Sequence, residues 1–268
     1  RICIQCKDHE KAIGNKAVQE ISAGKLFWKG THAIIVSKSG FTKSAHKLAK
    51  SNKVKLINEF QSLMGKGYCE FVLTGVDITD YGLDLEPNIS LGQLVQSLLD
   101  ALPQLGRLRL SSLDPSEMDD QLWDLLADPR LLPHVHLSLQ AGSDLVLKRM
   151  KRRHLRHHVF EFIDRIRSIR PTAVIGADII AGFPTETEEQ FEETRAIIDH
   201  LDLVHVFPFS AHENTPASKM PQVSSHDIKK RAKVLRDCAQ RQMSRVKKRM
   251  VGLNDWMLVE RMDEQYVY

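Results

Sequence analysis

The sequence predicts an α/β protein, a partial (β/α) barrel with parallel strands preceded by a small α/β fragment. Short apolar, β-branched runs alternate with amphipathic stretches that suit helices of about 10–15 residues, which is typical of βαβ units and a parallel sheet. Five such strands fall between residues 71 and 207. That number suits an open or partial barrel, because a closed (β/α) barrel has eight strands.

The first 57 residues alternate strand, helix, strand, helix and strand. Ile2–Cys6 is a short apolar strand, and an N-cap residue opens a helix over Asn15–Phe27. The run AIIVS over Ala33–Ser37 is nearly all apolar, which predicts a buried strand. Thr42 begins a second helix, and Val54–Ile57 is another short strand.

Longer elements follow from residue 71. The predicted strands are Phe71–Thr74, Leu108–Ser111, Val135–Leu139, Val174–Ile180, Val204–Phe207 and an edge strand at Trp256–Glu260. The predicted helices are Leu91–Leu102, Glu117–Ala127, Leu145–Met150, His157–Ile169, Thr187–Leu201 and Ser225–Met250. Because an exposed strand edge is unfavourable, we expect Ala33–Ser37 or Val54–Ile57 to pair with the strand at Phe71.

The composition is that of an ordinary globular protein, with 42% hydrophobic and 27% charged residues. No apolar run approaches the ~18 residues of a membrane span. The 4 cysteines are scattered, which favours a reducing compartment with unpaired thiols. We therefore expect a cytoplasmic protein, monomeric and without a membrane partner.

The positive charge is concentrated near the start of the chain. Residues 1–65 carry twelve Lys and Arg residues against four acidic ones, in a chain whose net charge is +4. A basic block of this kind is typical of nucleic-acid binding. A solvated lysine-rich face explains the same charge, and both interpretations stay open.

Polar and small residues follow each predicted strand from residue 71 onward, at the positions where parallel sheets carry functional side chains. These segments are Thr74–Asp77, Ser111–Asp114, Ser138–Gly142, Gly182–Glu186 and Pro208–Ser210. Gly, Ser, Asp, Gln and Pro also end strands for structural reasons alone. Their presence after all five strands favours a site for a polar cofactor.

Five longer motifs contain these strand ends: EFVLTGVDITDYG, RLRLSSLDPSE, HLSLQAGSDLVLKRMKR, GADIIAGFPTETEEQFEET and HVFPFSAHENTPASKMPQV. In this order they resemble the radical S-adenosylmethionine core of the tRNA methylthiotransferases, in the branch that acts on threonylcarbamoyladenosine. The resemblance covers about residues 66–250 and implies a radical SAM-type partial barrel. It also implies methylthiolation of a modified adenosine next to the anticodon of tRNA. The clustered Arg and Lys residues of KRMKRRHLRHH would lie on the RNA side and neutralise phosphates.

The resemblance implies S-adenosylmethionine as cofactor. By this resemblance, Thr74, Gly75 and Asp77 would bind the methionyl amino group of the cofactor. Ser111, Ser138 and Gln140 would face its ribose and carboxylate. The backbone of the segment that contains Gly176, Asp178 and Gly182 would contact its adenine. Asp178 lies within an otherwise apolar strand, and a buried carboxylate needs partners. A structural acid bonded to a neighbouring segment is the alternative interpretation of Asp178.

One family feature is not found in these 268 residues. The family holds a 4Fe-4S cluster with three cysteines spaced C-x-x-x-C-x-x-C, and the four cysteines here are Cys3, Cys6, Cys69 and Cys238. None of them matches that spacing. We therefore expect no cluster ligands and no turnover from this chain alone.

The segment ICIQCKDHEKAIGNKAVQE and its continuation to residue 57 resemble the catalytic domain of Mrr-type restriction endonucleases. The family's Glu/Gln-x-Lys motif matches Gln5-Cys6-Lys7, so Gln5 would lie beside Mg²⁺ and Lys7 would polarise a DNA phosphate. Cys3 and Cys6 fit alternation on a strand better than metal ligation, because no second ligand pair follows. We expect no metal site formed by these cysteines.

The resemblances define three segments: a restriction-endonuclease-like fragment over residues 1–60, a radical SAM-like partial barrel with a C-terminal helix over 66–250, and the start of a TRAM-like RNA-binding β-barrel, VGLNDWMLVE, over 251–268. Three functions stay open: a radical SAM tRNA methylthiotransferase, an Mrr-like DNA endonuclease, and a non-catalytic nucleic-acid-binding protein.

Overall fold

Parallel strands with helices between them form both units of the computed structural model. The structure describes residues 2–7, 13–27, 32–37, 41–52, 54–57, 64–65, 67–75, 77–83 and 88–254. The first unit comprises residues 1–111, 119–132 and 254–268, and the second comprises residues 112–118 and 133–253.

The first unit contains a five-stranded sheet. Its strands are β1 (Ile2–Lys7), β2 (His32–Ser37), β3 (Val54–Ile57), β4 (Phe71–Leu73) and β5 (Leu108–Leu110). The order is β3-β2-β1-β4-β5, and every pair is parallel. The expected partner of the Phe71 strand was wrong: β1 pairs with β4, whereas β2 and β3 lie beyond β1. The reason is the order of crossovers, since the connections from β1 to β2 and β3 run outward and leave the other edge of β1 for β4.

Three of the helices described in the first unit begin at capping residues, namely Thr42, Ser90 and Asp119. The described helices are α1 (Asn15–Phe27), α2 (Lys43–Ser51), α3 (Leu91–Ala101) and α4 (Asp120–Leu125). The Thr42 hydroxyl accepts from the Ala45 N–H at 3.1 Å, and Ser90 and Gln93 form a capping box. The helix α4 is shorter than predicted because Asp119, not Glu117, caps it.

The apolar core of the first unit's leading part lies between α1, α2 and β2. Its buried side chains alternate in β2 and recur at helical spacing in the two helices: Ile13, Ala17, Val18, Ile21, Ala33, Ile35, Ala45 and Ala49. The buried Glu70 carboxylate, just ahead of β4, accepts from Arg107 at 2.9 Å and from Arg109 at 3.5 Å. This ion pair ties the start of β4 to β5.

The second unit contains a three-stranded parallel sheet in the order β6-β7-β8. The strands are β6 (His134–Gln140), β7 (Val174–Ala181) and β8 (Leu203–Pro208). The helices are α5 (Asp144–Arg149), α6 (Arg156–Ile169), α7 (Glu188–Ile197) and α8 (Ser225–Met250). Short 3-10 turns cover Ile198–His200 and Pro216–Lys219.

The predicted fold class is confirmed: the protein is α/β, its strands are parallel, and the described strands form open sheets rather than a closed barrel. The five strands between residues 71 and 208 are divided between the two sheets. The assignment of segments to residues 1–60, 66–250 and 251–268 stays a prediction. The strand expected at Trp256–Glu260 lies outside the described residues. Among those residues, no helix combines the length and the apolarity that crossing a membrane requires.

Two helical glycines of the first unit allow a matched test of packing. A Cβ on Gly92 would lie 2.2 Å from Asp119 Oδ1 and 2.6 Å from the Leu122 N atom, whereas a Cβ on Gly24 would meet Thr74 at 3.6 Å, an ordinary contact. We expect Gly92→Ala to lower the free energy of unfolding by roughly 1–3 kcal/mol through overpacking. We expect Gly24→Ala to raise it by roughly 0.5–1 kcal/mol through helix propensity.

Thermal and urea unfolding followed by far-ultraviolet circular dichroism measures both changes. A stabilising effect of Gly92→Ala equal to that of Gly24→Ala would contradict the close approach of α3 and α4.

Candidate functional site

The end of β6 departs from regular strand geometry at Gln140. Its φ is 67°, in the region that favours glycine, and the pairing of β6 with β7 shifts register between Leu137 and Gln140. A non-glycine residue in this conformation costs of order 1 kcal/mol, and such strained residues occur in turns and cluster at functional sites. The strain therefore supports a functional role for Gln140, one of the residues predicted to bind a cofactor.

Gly182, just beyond β7, has clear structural reasons to be glycine. Its φ is 75°, and a Cβ there would lie 2.6 Å from Ile228 Cγ1 on α8. Its N–H donates to Glu186 Oε2 at 3.1 Å, so this donor is already engaged. Glu186 Oε2 also accepts from Arg231 at 2.9 Å, and burial raises the pKa of Glu186 despite that guanidinium.

Asp178 lies between two histidines from the neighbouring strands. Its Oδ1 is 3.0 Å from His136 Nε2 on β6 and 3.1 Å from His205 Nδ1 on β8. The rings of His136 and His205 stack with centroids 5.4 Å apart. Burial would raise the pKa of Asp178, but the interactions with the two histidines outweigh it and lower that pKa. Asp178 thus has the structural partners that a buried carboxylate needs.

Gly176 and Ser138 lie beside this group. A Cβ on Gly176 would be 2.7 Å from His136 Nδ1 and 3.3 Å from His134 Nε2, so a glycine is needed for the histidines to occupy their places. The Ser138 N–H donates to the Leu113 carbonyl at 3.0 Å. The backbone N–H of Ser138 is therefore a structural donor, and only its side chain is a candidate for a ligand.

Four predicted cofactor residues belong to the first unit. Thr74 and Gly75 directly follow β4 and are half-buried, and Ser111 is buried beyond β5, where its N–H donates to the Leu73 carbonyl at 2.9 Å. Asp77 is exposed, and its Oδ1 accepts from the N–H and the hydroxyl of Thr79 at 3.2 and 2.5 Å. These hydrogen bonds within the turn give the Asp77 carboxylate a structural role. They would compete with its binding of the cofactor's amino group.

A buried Asp–His pair of the second unit was not found from the sequence. His154 Nδ1 lies 3.0 Å from Asp114 Oδ2, and its Nε2 lies 3.1 Å from the Leu139 carbonyl. Burial would raise the pKa of Asp114, but hydrogen bonds with His154 and Ser116 bring that pKa down to about 2. Through His154, the pair fixes the segment 112–118 against the end of β6.

His136 and His205 also lie within the five motifs, but the sequence alone did not identify them as functional residues. The signal available for His136 is its spacing: it lies two residues before Ser138 and four before Gln140, which suggests a shared strand face. No comparable signal marks His205, because only the register of β8 against β7 brings it opposite Asp178.

The described cysteines do not fit an iron–sulfur cluster. Cys69 is exposed and precedes β4, whereas Cys238 is buried in α8, where Arg241 Nη2 lies 3.0 Å from its sulfur. Cys3 and Cys6 belong to β1, and Gln5 and Lys7, predicted for the nuclease site, lie on the same strand. The side chains of all four β1 residues are outside what the structure describes.

Two family profiles match the sequence. The profile described as Radical SAM superfamily matches residues 48–198, more than half of the chain. The profile described as Restriction endonuclease matches residues 1–64. The two matches correspond to the two resemblances found in the motifs.

Curated relatives are tRNA methylthiotransferases. The threonylcarbamoyladenosine tRNA methylthiotransferase MtaB of Rickettsia prowazekii is 47% identical over 208 residues, 76% of this chain and 49% of that protein. The MtaB of Thermotoga maritima is 37% identical over 222 residues, 78% of this chain and 50% of that protein. The tRNA-2-methylthio-N(6)-dimethylallyladenosine synthase of Oceanobacillus iheyensis is 36% identical over 179 residues, 65% of this chain and 34% of that protein. The chain thus spans about half the length of the first two of these relatives.

Among solved structures, coproporphyrinogen III oxidase from Escherichia coli, a radical SAM enzyme, aligns with a TM-score of 0.42 at 13% identity. The alignment covers 94% of this chain and 54% of that one.

The Asp114–His154 pair predicts an acid-sensitive contribution to stability. Because the folded pKa of Asp114, about 2, lies below the unfolded value of about 3.9, the contribution is complete above pH ~4 and is lost as the pH falls towards 2. We expect about 1–2 kcal/mol from this carboxyl group after allowance for solvent screening.

Urea unfolding between pH 6 and pH 3 measures this dependence. Asp114→Asn should be less stable at pH 6 and flatter in its pH dependence, whereas Asp164→Asn, at an exposed position on α6, should match the wild type. Parallel pH profiles for wild type and Asp114→Asn would contradict the assignment.

Proposed function

The chain belongs to the radical SAM superfamily, and from this premise we propose that it binds S-adenosylmethionine and acts in the methylthiolation of a modified adenosine in tRNA. The observation that carries the proposal is the 47% identity to a tRNA methylthiotransferase over 208 residues. All nine residues assigned to the cofactor lie within residues 48–198, which match the Radical SAM profile, and they are within or just beyond the parallel strands of their own unit.

In the second unit, Gln140 is the residue that we assign to direct contact with the cofactor. Its amide offers both a donor and an acceptor, which suits a ribose hydroxyl or a carboxylate. The strained backbone at Gln140, with φ of 67°, holds this side chain at the edge where β6 ends. The Ser138 hydroxyl is the second donor that we assign to the same strand end.

Gly176, Asp178 and Gly182 contribute through the backbone of β7 and the turn after it. The Gly182 N–H is engaged by Glu186, so we assign the adenine contact of this segment to backbone groups other than that N–H. In the first unit, we assign Thr74, Gly75 and Ser111 to contacts with the cofactor through their backbone groups and, for Thr74 and Ser111, their hydroxyl groups. We assign Asp77 to the positive amino group of the methionyl part.

We further propose tRNA as the partner, with the basic stretch over residues 148–158 contacting phosphates. Lys148, Lys151 and Arg152 are exposed there, while Arg153 forms an ion pair with Glu117 at 2.6 Å. Exposed cations of this kind contribute to affinity in a salt-dependent manner. A tRNA-modifying role is consistent with a cytoplasmic, monomeric protein.

The nuclease and the non-catalytic nucleic-acid binder have less support than the methylthiotransferase. The Restriction endonuclease profile covers residues 1–64, less than a quarter of the chain, and Mg²⁺ binding and DNA cleavage would depend on Gln5 and Lys7. The curated relatives favour the methylthiotransferase. No reaction step is assigned to an iron–sulfur cluster, since the described cysteines do not fit one.

Binding of S-adenosylmethionine tests the role of Gln140. Gln140→Gly relieves the positive φ and removes the amide, so we expect the free energy of unfolding to rise by roughly 1 kcal/mol while the dissociation constant rises about tenfold, the loss of one or two hydrogen bonds. Asn214→Gly is the matched control, because Asn214 also has a positive φ, 71°, and is exposed. That control should gain stability and keep its affinity.

Equilibrium dialysis of the full chain against labelled S-adenosylmethionine measures the affinity. Unchanged affinity in Gln140→Gly would remove Gln140 from the site. A wild-type chain that does not bind the cofactor would overturn the proposed function.

Anaerobic reconstitution with iron and sulfide tests the reading of the cysteines. We expect well under one cluster per chain, because Cys69 and Cys238 are isolated and the four cysteines lack the family spacing. Iron and sulfide analysis with visible absorbance measures the content. About one cluster per chain would show that this chain supplies the ligands after all.

A further inference from the structure

The side chains of Asp178 and His205 share one face of the second sheet, because these residues are directly opposite in the parallel pairing of β7 and β8. His136 is opposite Gly176, two residues before Asp178, and thus lies diagonally across from the carboxylate on the same face. Three adjacent strands therefore each contribute one potential ligand to one place. His136 is fully buried, Asp178 is 15% exposed and His205 is 39% exposed at the side chain.

We propose that His136, Asp178 and His205 form a binding site for a divalent transition-metal ion of the Zn²⁺ or Co²⁺ class. The proposal does not depend on the proposed function, because it rests on donor geometry alone. One ligand atom from each of the three residues lies within 4.8 Å of the other two.

The distances suit a metal centre. Bonds of 2.0–2.1 Å in a tetrahedral site place ligand atoms about 3.3 Å apart. Asp178 Oδ1 is 3.0 Å from His136 Nε2 and 3.1 Å from His205 Nδ1. A shift of a few tenths of an ångström, within reach of side-chain rotation, opens the group enough to take an ion.

Gly176 makes the room for this group. The Cβ of any other residue at position 176 would lie 2.7 Å from His136 Nδ1, closer than van der Waals contact permits. The glycine is therefore a positioning residue for His136. It also allows the fully buried imidazole of His136 to lie close to the backbone of β7.

The donor set selects the class of ion. Two imidazole nitrogens and one carboxylate oxygen suit Zn²⁺, Co²⁺, Ni²⁺ or Fe²⁺, whereas Mg²⁺ and Ca²⁺ prefer oxygen ligands alone. Asp178 supplies the negative charge that a cation needs. Because His205 and Asp178 are partly exposed, an ion bound there would be reached by water and would keep at least one open coordination position, as catalytic zinc sites do.

The full chain, stripped of metal with a chelator, can be titrated with Co²⁺. We expect one equivalent of Co²⁺ to bind with visible d–d absorption of a site with nitrogen and oxygen ligands, and Zn²⁺ to displace it. Asp178→Asn and His205→Ala should each weaken binding at least tenfold, the loss already caused by removing outer-shell partners of metal ligands. His226→Ala, at an exposed histidine of α8, is the matched control and should bind Co²⁺ like the wild type.

A second measurement needs no variant. Diethyl pyrocarbonate modifies accessible imidazoles, so saturating Zn²⁺ should protect His205 severalfold while His226 stays reactive, as read by peptide mass spectrometry. The site is wrong if the wild type takes up no Co²⁺, or if Asp178→Asn binds it as tightly as the wild type. Equal modification of His205 with and without Zn²⁺ would overturn it as well.

Discussion

The parallel pairing of β7 with β6 on one side and β8 on the other determines the chemistry of the second unit. Parallel strands end at the same edge of a sheet, so Gln140 and Gly182 both lie at that edge as a consequence of strand direction. The same pairing places Asp178 opposite His205 and diagonal to His136. A shift of one residue in this register would turn the carboxylate to the other face and leave it without its histidines.

In the second unit, buried carboxylates lie at both ends of β7, and each accepts hydrogen bonds from a backbone N–H and from an arginine. Asp202 accepts from the Ile175 N–H at 2.8 Å and from Arg249 at 3.1 Å, which fixes the start of β7 to the long helix α8. Glu186 performs the same task at the end of β7 through Arg231. Asp202 keeps Arg167 as a partner if Arg249 is removed, whereas removing Arg231 would leave the buried Glu186 carboxylate without its closest cation, a loss that costs about 3–5 kcal/mol in buried pairs. Asp202 thus fixes the start of β7, and Glu186 fixes the turn after β7 that contains the candidate cofactor residue Gly182.

The sequence predicts the elements well because the signals are local. Capping residues and apolar periodicity set the bounds of α8, found at Ser225–Met250 as predicted, and those of β3 at Val54–Ile57. Pairing is not local: β1, rather than β2 or β3, lies beside β4, since the order of strands depends on crossovers that no short pattern records.

In the candidate site too, local features could be predicted from the sequence and contacts between strands could not. Strand-end residues such as Gln140 follow from the position of each strand, but its positive φ arises from a register shift that requires the neighbouring strand. The partners of Asp178 could not be predicted for the same reason. A buried acid in an apolar strand indicates that it has polar partners, but the sequence does not show which residues these are. The two histidines that contact Asp178 are 42 residues before it and 27 residues after it in the chain.

Hydrogen exchange of the full chain, with and without S-adenosylmethionine, tests whether the strand ends hold the cofactor, since it measures each strand end separately. We expect slower exchange in peptides that contain residues 74–77, 138–142 and 176–182, and unchanged exchange in the C-terminal half of α8. Protection confined to other segments, or no protection at any strand end at saturating cofactor, would contradict the claim that these strand ends hold the cofactor.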